Sequence, residues 1–146
     1  MKIKKIGIII ISLFIFVLFT ISYSKQNFNE SDVIDLTKMS KLMVYSSLFN
    51  IISDFKKYIG KEIVFSGIYS CFYDSDMNKR YHACIIQDET ACCLQGLAFI
   101  PDKKYSYPKD FPKENTKITV RGTLSTYEEG GNTFCQLINT VMEYEK

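Results

Sequence analysis

The chain contains no tryptophan, one histidine and three prolines in 146 residues. No Ser or Asp context around His82 suggests a hydrolytic triad. There is no Cys-x-x-Cys, so neither the usual zinc spacing nor a redox pair at a helix N-terminus is written in the chain. Paired-carboxylate motifs and Gly-rich phosphate loops are also missing, and Gly130-Gly131 belongs to a hairpin turn. The first 24 residues hold no acid, while Lys2, Lys4 and Lys5 supply their charge. The formal net charge of +2 therefore becomes about −1 over residues 25–146, with 15 basic and 16 acidic residues. That balance removes the basic footprint a nucleic-acid binder needs.

What is present suits one globular domain preceded by a targeting segment. Ten Tyr, eleven Phe and a 23% charged share exclude disorder, collagen-like repeats and coiled coil. Lys2 to Lys5 form a positive cap, followed by the apolar run Ile6 to Ile21, broken only by Gly7, Ser12 and Thr20. Ser22-Tyr23-Ser24 offers small residues for cleavage after Ser24. Residues 1–24 are thus expected to be a signal peptide, or otherwise an N-terminal anchor in contact with the membrane. Either way the remainder lies outside the cytoplasmic membrane, secreted or anchored by residues 1–24. No Cys precedes Cys71, which argues against a lipid-modified cysteine near the cleavage point.

Residues 25–39 read as a linker and 40–146 as the domain. Leu42, Tyr45, Phe49 and Ile52, widened by Leu48, Ile51 and Phe55, predict an amphipathic helix over 40–54 with Ser40 as N-cap. Five strands are expected after it, over 62–73, 81–87, 91–100, 116–128 and 133–144, with a hairpin turn at 129–132. Ile63-x-Phe65-x-Gly67 and Ile118-x-Val120-x-Gly122 alternate toward one face and end in Gly, where a strand bends or admits another backbone. The fold expected is mainly β: a five-stranded OB-like barrel whose N-terminal helix covers one open end. A simple antiparallel sandwich is the alternative. The 101–115 loop, holding all three prolines, is expected to wrap the barrel without regular structure. Its Tyr105, Tyr107 and Phe111 cover the wall, or else form a ligand surface.

Five cysteines stand at 71, 84, 92, 93 and 135. His82 and Cys84 share a strand face. Pairing through a short 88–90 turn, with residue numbers summing near 178, sets Cys84 opposite Cys92 or Cys93. Three readings stay open for Cys84, Cys92 and Cys93. They form disulfides, as exported thiols do. They bind a soft metal, Zn²⁺ or Cu⁺, with Cys135 or His82 completing the ligand set. Or they pack as small apolar residues, the reading that suits Cys71 and Cys135 taken alone.

Two stretches carry a resemblance: Tyr58-x-Gly60-Lys61-x-Ile63…Gly67, and Ala83-Cys84-Ile85-Ile86-x-Asp88-x-x-Ala91-Cys92-Cys93-x-Gln95-Gly96. Over residues 36–144 the chain resembles uncharacterised bacterial envelope proteins with an OB-like domain. It is also similar to the Cys-Cys-containing C-terminal domain of a permease-associated membrane-protein family. The resemblance implies an OB-like fold, an envelope location and the Cys92-Cys93 pair, and no reaction. The function expected is a non-enzymatic, extracytoplasmic binding or accessory module whose cysteine cluster (Cys84, Cys92, Cys93, Cys135 and His82) holds zinc. Its partner would be a membrane permease or another envelope protein. A disulfide-stabilised interaction domain and a thiol–disulfide redox protein are the alternatives.

Overall fold

A computed structural model describes residues 32–88 and 93–145. The expected signal or anchor over 1–24 falls outside the described residues, as does Cys92. No described helix is long and apolar enough to cross a membrane.

The protein is mainly β, with six strands in one sheet and one α-helix among the described residues. The strands are β1 (Val33–Asp35), β2 (Glu62–Asp74), β3 (Lys79–Gln87), β4 (Leu94–Pro101), β5 (Lys117–Glu129) and β6 (Asn132–Glu143). Their order is β1-β2-β3-β4-β6-β5, and β2 also pairs with β5, so the pairings of β2 to β6 run in a cycle. Apart from β1–β2 and β4–β6, which are parallel, all pairs are antiparallel. All five strands read from the sequence are present, with ends shifted by a few residues. The β5–β6 turn is the two-residue Gly130-Gly131, with φ of +58° and +79°. Positive φ at both central residues matches the right-handed twist of the flanking strands.

Residues 33–36, within the segment 25–39 expected as a linker, contribute to the domain. Val33–Asp35 pairs with Glu62–Val64, the Leu36 amide donates to the Val64 carbonyl at 2.8 Å, and the Leu36 side chain is fully buried. Three strand residues are too few to show a periodicity, which is why this part of the chain reads as irregular.

The helix α1 (Lys41–Ser53) forms where expected, and the Ser40 hydroxyl accepts from the Met43 amide at 3.4 Å. Most of the expected stripe is buried, Leu48 and Ile51 fully and Tyr45, Ile52 and Phe55 in part, but two of its members are not. Val44, Leu48 and Ile51 enter the core, whereas Leu42 and Phe49 are 54% and 56% exposed. The helix is apolar around most of its circumference, so several three- and four-residue series fit it, and packing selects one.

In β3 the inward positions are His82, Cys84 and Ile86, which alternate with less buried residues. They join Phe65, Tyr69, Leu97, Phe99, Val120 and Leu137 in or beside the core. After β4 the chain runs to Thr116 in turns without helix or strand, as expected. Tyr105 and Phe111 of this loop pack on the core, and Tyr105 Oη donates to the Met142 carbonyl at 3.3 Å.

Candidate functional site

Among the described residues, the register does not set Cys84 opposite Cys93. Cys84 lies opposite Leu97, and His82 opposite Phe99, in the β3–β4 register. The pair sums are near 181 rather than 178, because β3 ends at Gln87 and β4 begins at Leu94. Cys84 is three residues inside β3 from Gln87, the partner of Leu94. Cys93 lies one residue further, its carbonyl accepting from the Asp88 amide, so at about 3.3 Å per residue Cys84 stands roughly 13 Å along the strand from the exposed Cys93. Cys84 is fully buried, and burial pushes its thiol well above the usual range. Its Sγ is 2.8 Å from where a side chain on Gly67 would begin. Such a thiol resists forming the thiolate that a soft metal needs.

Cys135 is half-buried on β6 opposite Thr126, and burial raises its thiol too. Among the described residues no three His, Cys, Asp or Glu side chains are grouped to hold a metal ion. Cys71, Cys84 and Cys135 form no disulfide with one another.

His82 has a different setting. Its Nδ1 lies 2.7 Å from Tyr69 Oη, across the β2–β3 pair, and both side chains are buried. Phe111 stacks on the imidazole at 4.4 Å between centroids, with Tyr107 at 5.5 Å and Phe99 at 5.9 Å. Burial, with a smaller push from the Arg80 guanidinium, lowers the His82 pKa from 6.5 to about 4, so the ring is neutral at neutral pH. Burial also raises the Tyr69 phenol. This pair is an uncharged hydrogen bond inside an aromatic box.

A cleft of about 390 Å³ opens beside the box. Parity puts Tyr69, Cys71 and Tyr73 on one side of β2, and the register places them opposite Cys84, His82 and Arg80 of β3. The Arg80 guanidinium lies 4.9 Å from the Tyr73 ring and 4.3 Å from the Tyr107 ring, and Nη1 donates to Cys71 Sγ at 3.4 Å. The Cys71 amide donates to Glu114 Oε2 at 2.9 Å, tying the loop to the strand. Pro108, Phe111 and Pro112 complete the wall, and Lys113 and Glu114 also line the cleft.

The arrangement offers flat ring and proline surfaces beside a planar cation that is already held in place. It suits a ligand with an apolar or planar group and an anionic one. Sequence reasoning identifies His82, Tyr107 and Phe111 but passes over Tyr69 and Arg80. The i, i+2 spacing of Arg80 and His82 on one strand face is the signal that would have found the second. No protein-family model matches the chain, and comparison with curated proteins finds no match either.

Proposed function

We propose that this chain is a non-enzymatic binding module outside the cytoplasmic membrane, built on an OB-like barrel, with its ligand surface at the Arg80–Tyr107 cleft. The barrel reading is supported by the cyclic pairing of β2 to β6 and the parallel contact of β4 with β6. It is supported also by the meeting of the two hairpins. Lys79 Nζ reaches Glu129 Oε2 at 2.9 Å, and Tyr81 Oη donates to the same oxygen at 2.7 Å. In OB folds the corresponding hairpin loops flank the binding face. The location rests on the cap and apolar run of residues 2–21. The resemblance to permease-associated domains supports an accessory role beside an envelope protein.

One observation carries the binding reading: a cleft walled by rings, with the Arg80 guanidinium set between Tyr73 and Tyr107. The test is a titration of the full chain in micelles with N-acetyl-phenylalanine and with its amide. The readout is the NMR ring signals of Tyr107 and Phe111. Both compounds are expected to shift these signals saturably, the carboxylate binding about threefold more tightly, as an exposed ion pair allows. Arg80→Ala is expected to erase that preference. No saturable shift with either compound would overturn the reading.

A further inference from the structure

A second cleft of about 440 Å³ lies between the start of α1 and the strands β2 and β3. Its volume is in the range of small-molecule sites, roughly 300–1,000 Å³. Met39, Val44, Ile68 and Ile85 wall it, and Lys41 and Lys117 stand on its lining. Both lysines are exposed, and neither takes part in an ion pair among the described residues. The lining contains no Asp or Glu among the described residues, and the first turn of α1 carries no acid. An apolar trough with two uncompensated ammonium groups is complementary to an apolar chain that ends in an anion.

From this geometry we infer that the cleft binds a free fatty acid, its hydrocarbon chain along Met39, Val44, Ile68 and Ile85 and its carboxylate between Lys41 and Lys117. Burying the chain removes apolar surface from water at about 25 cal/mol per Å². The lysines select the charged head. The chain's own run Ile6–Ile21 is the other apolar candidate, but it is accompanied by Lys2, Lys4 and Lys5 and no acid, the wrong sign for this rim. The site shares no lining residue with the Arg80–Tyr107 cleft.

The experiment is photo-crosslinking of the full chain in bacterial membranes with a diazirine-bearing dodecanoate, the adducts mapped by mass spectrometry. Saturable labelling of peptides within 36–44, 66–68 or 85–87 is expected. Unlabelled dodecanoate should compete, whereas dodecanol and a phosphatidylglycerol should not. The exposed Lys41→Glu/Lys117→Glu pair should weaken labelling about tenfold, and Lys41→Arg/Lys117→Arg should retain it. Absence of saturable labelling, equal competition by dodecanol or the phospholipid, or adducts confined to residues 1–31 would each overturn the inference. So would labelling that ignores the charge reversal.

Discussion

Gly96→Ala is expected to destabilise the domain by about 3 kcal/mol, lowering Tm by roughly 10–15 °C. A Cβ at position 96 would lie 2.2 Å from the Cys84 carbonyl oxygen and 2.8 Å from Ile85 Cα. Those are backbone atoms of the neighbouring strand, and no rotamer change can move them aside. On the other side of β3 a Cβ at Gly67 would meet the Ile85 oxygen at 2.5 Å. The β3 backbone at Ile85 is thus approached closely by glycines from both adjacent strands, Gly96 at the Cys84–Ile85 peptide and Gly67 at the Ile85 carbonyl. Gly130→Ala makes a useful comparison. Nothing lies within 4 Å of its Cβ, and only the positive φ of 58° opposes the substitution. It should cost about 1 kcal/mol. Thermal unfolding of the full chain in micelles, followed by far-UV circular dichroism, measures both. Equal effects of the two substitutions would contradict the close approach.

The second large effect is a loss of stability in mild acid. Above pH 6.5 the His82 imidazole is neutral in both the folded and the unfolded chain. Between 6.5 and about 4 the unfolded imidazole takes a proton that the folded one refuses. The unfolded state then binds more protons, so stability rises with pH across this window. Falling from pH 7.5 to 4.5 should remove about 2–3 kcal/mol on this account. The cause is the box itself: a charged ring would lose water and gain only Phe111, Tyr107, Phe99 and a phenol around it. Urea unfolding at several pH values measures the effect. In Tyr69→Phe/His82→Phe both partners of the buried hydrogen bond are removed together, which keeps the substitution mild. That variant should lack this component of the acid slope, while the carboxylates continue to contribute theirs.

These effects show which features of the fold the sequence could reveal. Strand alternation and turn residues are local, so Glu62–Asp74, Lys117–Glu129 and the Gly130-Gly131 turn stand where pattern places them. The same holds for α1 and its Ser40 cap. Register across a longer connection is not local. Moving the start of β4 from Ala91 to Leu94 changes every β3–β4 partner, and it carries Cys84 away from Cys93 and against Leu97. The thiols were conspicuous because cysteine is chemically distinctive, but burial makes Cys84 part of the core. The cleft was inconspicuous for the opposite reason. Tyr, Arg and Pro are common surface residues, and only the meeting of β2, β3 and the 101–116 loop brings Tyr69, Arg80 and Tyr107 together.

The Arg80–Tyr107 cleft exists only if that loop lies over β3, with Phe111 stacked on a buried imidazole. NMR of the full chain with labelled histidine measures this through one residue, since His82 is the only histidine present. A ring titrating near pH 4, with nuclear Overhauser contacts to the Phe111 and Tyr107 protons, is the result expected. An imidazole titrating near 6.5 without contacts to either ring would mean that the loop does not cover the strand, and the cleft would go with it.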